Sequence, residues 1–323
     1  MPEKEFQKED LAVGGQALIE GVMMRSSKNI SIAVRNPQDE IVVKKYPFVS
    51  LSKKVKILGL PIIRGAVGLF ESLKIGTSAL NFSAEIAGLE EDDSEPTTFD
   101  KILGGAITIF SVLFGIGLFM FLPLQISEYL IPTDNQFIFN LLAGGVRLSL
   151  FLLYLWGISM LKDIKRIFEY HGAEHKSIYA FETEQKMDVK TAKRYTTLHP
   201  RCGTSFLLVV AIQIILIFSV IDSVIVGVLG HPYENAFERF LVHFPFMPVV
   251  AGFSFEFLKF SGKYRDNPIV KVLIQPGLWL QKITTNEPDE DQLEVAIVAL
   301  RSSLDEEFMN CPEVKSKVVI FEG

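Results

Sequence analysis

The chain has 323 residues, of which 49% are apolar and 22% charged, with a mean hydropathy of +0.30 and a net charge of −6. This hydropathy exceeds that of an average soluble protein, and the apolar and charged residues occur in separate blocks, which is typical of a membrane protein with soluble parts. The negative net charge argues against nucleic acid as a partner. The two cysteines, Cys202 and Cys311, lie far apart, so a disulfide is not expected.

Residues 1–53 are expected to form a small cytoplasmic module that contains β-structure. Gly14 and Gly15 predict a turn, and two runs rich in β-branched residues lie at 30–35 and 41–45. A polar segment with proline and aspartate separates the two runs. The pattern therefore predicts a β-hairpin.

Two further segments precede the first long apolar stretch. Residues 54–89 carry apolar residues at helical spacing, with glycines and charges between them. They predict amphipathic helices at the membrane surface, and the sequence leaves open whether they enter the bilayer. Residues 90–101 are strongly acidic and predict a solvated linker.

Four apolar stretches are long enough to cross about 30 Å of hydrocarbon as helices. The second contains Arg147, and the fourth is the weakest because it contains His243, two prolines and Glu256. Residues 102–161 are expected to hold the first two helices and residues 204–258 the other two. The predicted spans are 102–124, 137–161, 204–221 and 240–258.

The loops between these spans differ in positive charge. Residues 125–136 contain no Lys or Arg and residues 222–239 contain one, whereas residues 162–203 contain nine. The positive-inside rule therefore places residues 162–203 in the cytoplasm, and an even number of spans places both termini there too. The C-terminal tail, 259–323, is expected to be cytoplasmic and helical, because apolar residues recur at helical spacing after Pro288.

The resulting fold class is a mainly α membrane protein. We expect about four transmembrane helices, additional interfacial helices and a small N-terminal β-hairpin module. Membrane lipids are the expected partners, while protein partners and the oligomeric state are not predicted.

Three of the five histidines fall in the loop 162–203, which is expected to hold a metal site. His171 and His175 are four residues apart, so on a helix both imidazoles lie on one face and can reach the same ion. Glu174 lies beside that face, where its carboxylate can bind the metal or accept a proton from water. This H-x-x-E-H arrangement occurs in one class of zinc peptidases.

His199 and Cys202 follow in the same loop, three residues apart. Two histidines with a third histidine and a cysteine suit a divalent ion, with zinc preferred over iron. One geometric difficulty remains, because His171 would lie about 15 Å beyond Leu161 on a straight helix, whereas Cys202 adjoins the membrane. Either the helix bends and runs along the interface, or the pairing of these residues is wrong.

Other charged residues are weaker candidates for the site. Glu256 lies near the expected cytoplasmic end of the fourth span, where it could serve as a second catalytic carboxylate or as a paired charge. Lys176 and Arg201 flank the predicted ligands and could bind an anion, although cytoplasmic loops are rich in such residues anyway. Glu20 and Arg25 are expected to pair with each other, with a role in the site as the alternative.

Four motifs carry a resemblance to a known family. They are Gly-Gly-Gln-Ala-Leu-Ile-Glu-Gly-Val-Met-Met-Arg at 14–25, Tyr-His-Gly-Ala-Glu-His-Lys at 170–176, His-Pro-Arg-Cys-Gly-Thr-Ser at 199–205 and Pro-Gly-Leu-Trp-Leu-Gln at 276–281. They resemble the YqhQ-like family of bacterial membrane proteins over nearly the whole chain. The resemblance implies a bacterial inner membrane and a metal-dependent enzyme, and it implies no particular reaction.

The sequence favours a metal-dependent hydrolase that acts at the cytoplasmic membrane surface on a peptide or a phospholipid. A metal would lower the pKa of a bound water, and Glu174 or Glu256 would accept its proton. The alternative is a membrane scaffold or assembly factor in which the metal is purely structural. The number of protein ligands distinguishes the two, since a closed four-ligand site is typical of a structural role.

Overall fold

The computed structural model describes residues 13–89, 98–130, 135–200, 202–228, 230, 233–264, 267–309, 311 and 314–321. Most of the predicted acidic linker, at 90–97, lies outside these residues, and so does Arg201. The described chain is mainly helical, with four long apolar helices and a small N-terminal β-sheet, which confirms the predicted fold class.

The sheet has five strands in the order β1-β2-β3-β4-β5, antiparallel except for the parallel pair β4 and β5. The predicted hairpin is confirmed as β3 and β4. The predicted turn at Gly14 and Gly15 is wrong, because both residues pair with the end of β2 as the first residues of β1. The strands are β1 Gly14–Leu18, β2 Gly21–Arg25, β3 Asn29–Arg35, β4 Ile41–Pro47 and β5 Val318–Ile320.

Twelve α-helices are described, with single turns of 3₁₀ helix at Ile57–Gly59 and Phe244–Phe246 and a π-helical segment at Gly117–Phe121. The helices are α1 Leu51–Lys54, α2 Ile63–Ile86, α3 Thr98–Ile116, α4 Leu122–Leu130, α5 Gln136–Ser159, α6 Lys162–Glu184, α7 Val189–Ala192, α8 Gly203–Gly227, α9 Ala236–His243, α10 Met247–Lys263, α11 Pro268–Thr284 and α12 Glu290–Ser303.

Both faces of the sheet are covered by helices, as the alternation of side chains along its strands requires. Val22 and Met24 of β2 face α6 and α12, where they pack with residues such as Tyr170 and Leu293. Met23 points to the opposite face, which packs against α2 in a cluster with Ala79 and Phe82. The C-terminal tail is therefore part of the same folded unit as the N-terminal strands.

The four segments suited to crossing a membrane match the predicted spans closely. They combine an average hydropathy of 1.4 or more with at least 20 residues each. Their apolar side chains are largely exposed, as lipid-facing side chains would be. The segments are 102–130, 137–159, 208–227 and 237–257.

The chain bends between α5 and α6, as one of the two sequence interpretations required. Helix α5 ends at Ser159, and Leu161 takes an extended conformation (φ −72°, ψ 134°) before α6 begins. Because α6 starts in a new direction, it can pack on the sheet rather than extend beyond it.

Helix α2 packs directly on α10, which lies in the fourth candidate span. A Cβ on Gly65 would lie 2.9 Å from the Gly252 Cα, so the two backbones can approach this closely only without side chains. Near this contact, Arg64 makes a two-pronged ion pair with Glu256, with N–O distances of 2.6 and 2.5 Å. The segment predicted to be interfacial thus contacts a helix of the fourth candidate membrane span.

Candidate metal centre

Three buried side chains come together between α6 and the residue that precedes α8. One potential ligand atom from each of His171, His175 and Cys202 lies within 4.8 Å of the other two. The Nε2 atom of His171 is 3.1 Å from the Cys202 sulfur. The imidazole rings of the two histidines are 4.4 Å apart between centroids, as expected for positions i and i+4 of a helix.

Backbone carbonyls orient both imidazoles in the same way. Nδ1–H of His171 donates to the Thr284 carbonyl at 2.7 Å, and Nδ1–H of His175 donates to the Thr197 carbonyl at 2.5 Å. Each contact requires the proton on Nδ1 and leaves the lone pair on Nε2. Metal-binding histidines are commonly held by such contacts, which determine the tautomer and the ring orientation.

Residues of α11 and the loop after it bind the backbone next to the site. The side chain of Gln281 accepts from the His199 N–H at 2.7 Å and donates to the His199 carbonyl at 2.8 Å. The Asn286 N–H donates to the Phe168 carbonyl of α6 at 2.9 Å. A Cβ on Gly172 would overlap the Asn286 carbonyl oxygen, which explains the small residue between the two histidines.

The donor set fits a divalent metal ion. His175 Nε2 is buried, and apart from the nearby Cys202 no hydrogen-bond partner for it is found in the described part of the chain. Burial lowers the pKa of His175, which favours the neutral imidazole that a metal requires. Zinc bonds to nitrogen and sulfur are about 2.0–2.3 Å long, so ligand atoms in a tetrahedral site lie roughly 3.5 Å apart. In the observed group one separation is 3.1 Å and all lie within 4.8 Å, so it could hold a metal.

Glu174 lies between the metal group and β1. Its carboxylate accepts a hydrogen bond from the backbone N–H of Gly15, and a Cβ on Gly15 would lie 2.9 Å from that side chain. Burial raises the pKa of Glu174 to about 8, while the nearby His171 lowers it and Cys202 raises it. A positive charge at the metal group would favour the carboxylate form.

His199 lies next to the group but not within it. Its ring is 5.6 Å from that of His175 and 5.1 Å from that of Tyr179, between centroids. Its Nε2 atom lies 3.5 Å from a carboxylate oxygen of Glu182. His199 therefore faces a carboxylate on α6, whereas the sequence had suggested a role as a metal ligand.

Among the described residues, the other charged candidates pair with residues outside the group of three ligands. Glu256 is paired with Arg64, and the buried Lys176 is paired with Glu287 and also donates to the Lys193 carbonyl at 3.2 Å. Arg201 is outside the described residues. The expected pair of Glu20 and Arg25 is wrong, because Glu20 binds the guanidinium of Arg166.

A cavity of about 590 Å³ adjoins the metal group. Its wall includes the three potential ligands and Glu174, together with residues of β1, β2, α2, α6 and α10. The buried group thus lines this cavity, and a molecule in the cavity would contact the carboxylate and the ligands together.

Sequence reasoning missed the residues that orient the site. Thr197 and Thr284 act through backbone carbonyls, which no side-chain pattern reveals. Gln281 and Gly15 did occur in motifs that carry the family resemblance, and this was the available signal for them.

The fold and the site define a mainly helical protein with four candidate membrane spans and a buried His-His-Cys group beneath a small sheet. The chain belongs to the family described as protein of unknown function DUF1385, which matches residues 60–306. It is 34% identical over 303 residues to the uncharacterized protein YqhQ of Bacillus subtilis (strain 168), covering 91% of this chain and 92% of that protein. The predicted family resemblance is therefore confirmed. No solved structure matches the chain.

Proposed function

We propose that the protein is a metal-dependent hydrolase at the cytoplasmic surface of the bacterial inner membrane. The observation that carries the proposal is the shared orientation of His171 and His175 towards Cys202, at the wall of a cavity that Glu174 also lines. Three protein ligands with an open side are typical of catalytic zinc, whereas structural zinc has four. The metal is proposed to be zinc.

The chain's own groups have distinct roles in this proposal. A zinc ion at the three ligands would supply an activated water at neutral pH. Glu174 accepts the proton of the attacking water, since its carboxylate faces the same cavity and the Gly15 N–H orients it. The backbone carbonyls of Thr197 and Thr284 accept from Nδ1–H of the two imidazoles, which fixes the ring orientations and leaves each Nε2 for the metal. Glu256 holds α2 on α10 through Arg64.

Two features support a cytoplasmic location of the metal group: the positive charge of residues 162–203 and the strands that the sheet takes from both ends of the chain. Residues 162–203 carry nine Lys and Arg residues, and α6 within them packs on the sheet. The sheet takes strands from both 14–47 and 318–320, so these two segments lie on the same side of any membrane. The positive-inside rule then favours the cytoplasm for the whole sheet and for the metal group.

Cysteine labelling of intact protoplasts tests this topology. Tyr129 at the end of α4 is 87% exposed, and the Lys315 side chain near β5 is 79% exposed. We expect a membrane-impermeant maleimide to label Tyr129→Cys directly and Lys315→Cys only after permeabilisation. The wild type is the control for background, because both native cysteines are buried. Direct labelling of Lys315→Cys would place the sheet outside and overturn the proposed location.

A structural metal site is the alternative function. A metal at His171, His175 and Cys202 would join α6 to the start of α8. The His199 ring lies close to that of His175, so His199 is the candidate for the fourth ligand of such a closed site. The protein would then be a membrane scaffold or assembly factor whose metal only stabilises the fold.

X-ray absorption spectroscopy of the purified protein separates the two functions. We expect about one zinc per chain with two imidazoles, one sulfur and one light ligand from solvent, because only three ligand atoms converge. A third imidazole in place of solvent would indicate a closed site and favour the structural alternative. If the protein is purified without any bound metal and cannot take up zinc, both the catalytic and the structural metal site are excluded.

A further inference from the structure

Arg25, the last residue of β2, lines the cavity beside the metal group. Its guanidinium carbon lies 4.4 Å from the centre of the Phe48 ring. Among the described residues, no hydrogen bond or ion pair of the Arg25 guanidinium is found, and burial lowers its pKa although the charge of Glu71 opposes this. An anion in the cavity would compensate the cost of partly burying this charge.

Glu71 does not take the place of that anion. Its carboxylate accepts from the Ser50 hydroxyl at 2.7 Å and from the Leu51 N–H at 2.6 Å. These contacts hold Glu71 at the start of α1, so it attracts Arg25 only at longer range. The guanidinium donors of Arg25 therefore remain available to a ligand in the cavity.

The apolar wall of the same cavity leads towards the membrane. Ile75 of α2, Phe168 of α6 and Phe255 of α10 all line it. Phe255 belongs to the fourth candidate span, and α2 contacts that span through Gly65. An acyl chain could follow this wall from the bilayer to the metal group.

The neighbouring surface has the composition of a segment that lies on an anionic membrane. On the outer side of α2, Phe70 is 73% exposed and Leu73 is also exposed. Ahead of α2, Ile57 and Leu60 are exposed in a segment that contains three lysines. Exposed apolar residues beside lysines are typical of an interfacial segment bound to acidic lipid. The three lysines are Lys53, Lys54 and Lys56.

We infer that the cavity binds an anionic lipid of the adjoining leaflet, with its phosphate at Arg25 and its acyl chain along Ile75 and Phe255. Guanidinium donors match phosphate oxygens, and a lipid reaches both walls without leaving the bilayer. As a substrate assignment, this inference rests on the proposed hydrolase. The lipid-binding site itself is inferred from the cavity and does not depend on the proposed activity.

Photo-crosslinking of the full-length protein in detergent micelles tests the site. The probe is phosphatidylglycerol with a diazirine in its acyl chain, and mass spectrometry maps the labelled peptides. We expect labelling around Ile75 and Phe255 to fall about tenfold in Arg25→Gln, because a charge-assisted hydrogen bond is lost. Arg25→Lys should keep most of the labelling. Arg194→Gln is the matched control, with the same substitution at an exposed residue that pairs with Glu184 and does not line the cavity, and should label as the wild type does.

Competition experiments on the wild type identify the source of the anion. Unlabelled phosphatidylglycerol should displace the probe, whereas equal phosphatidylcholine and millimolar glycerol 3-phosphate should not. Displacement by glycerol 3-phosphate would show a soluble phosphate site instead. Equal labelling by a phosphatidylcholine probe, or undiminished labelling of Arg25→Gln, would overturn the inference. The competition experiments and the comparison of the two lipid probes use only the wild type, so they test the inference even if Arg25→Gln does not fold.

The outcome is independent of the proposed activity. Lipid labelling needs neither metal nor turnover, so wild-type protein stripped of metal with a chelator should still be labelled. Labelling that depends on Arg25, in a protein that does not hydrolyse the lipid, would retain the binding site and reject the hydrolase.

Discussion

Glu174→Gln is expected to lower the function of the protein by about 10²-fold or more while the metal content stays unchanged. Glutamine keeps the shape of the side chain and can still accept the Gly15 N–H, but it cannot take a proton from water. The carboxylate is not needed as a ligand, because His171, His175 and Cys202 already converge. Complementation of a deletion strain measures function, and elemental analysis of the purified variant measures the metal.

Glu184→Gln is the matched control on the same helix. Glu184 is exposed and binds Arg194 and Tyr195 at the end of α6, away from the metal group. It should therefore retain both function and metal. Full complementation by Glu174→Gln at normal protein level would remove Glu174 as the base and favour the structural alternative.

His171→Ala should lose the metal itself. Substitutions of residues that only orient a ligand typically weaken metal binding by 10–100-fold, so removal of a ligand should cost at least about 10²-fold in zinc affinity. The loss should be large because His171 Nε2 is the nitrogen that lies 3.1 Å from the Cys202 sulfur. Competition with a chromophoric zinc chelator measures the affinity.

His199→Ala separates this effect from a general loss of structure. The His199 ring is buried and adjacent to His175, but it faces Glu182 rather than the three ligands. We expect this variant to bind zinc within a few-fold of the wild type. An equal loss of zinc in both variants would make His199 a fourth ligand and support a closed, structural site.

Properties that depend on short segments were predictable from the sequence. Each of the four candidate spans is recognisable because a helix that crosses hydrocarbon must be long and apolar. The β3–β4 hairpin follows from two β-rich runs around a polar turn. The common face of His171 and His175 follows from helical geometry alone.

The remaining strands and the arrangement of the candidate site were not predictable in this way. Strand β5 joins β4 across more than 250 residues of chain, and its pairing depends on where α12 packs. The contacts from Gln281 to the His199 backbone and from His171 to Thr284 likewise join segments about 80 and 113 residues apart. Such long-range pairings produce no local periodicity, so no pattern in the sequence predicts them.

The choice among candidate charged residues also required the tertiary structure. Residue type and spacing established that the loop 162–203 is rich in metal-binding side chains, and that Glu174 adjoins two of them. Only packing determined that Glu256 meets Arg64, that Lys176 meets Glu287 and that Arg25 faces the cavity. The physical reason is that a charged side chain pairs with whichever opposite charge the folded chain brings near it, and that neighbour is set by helices distant in sequence.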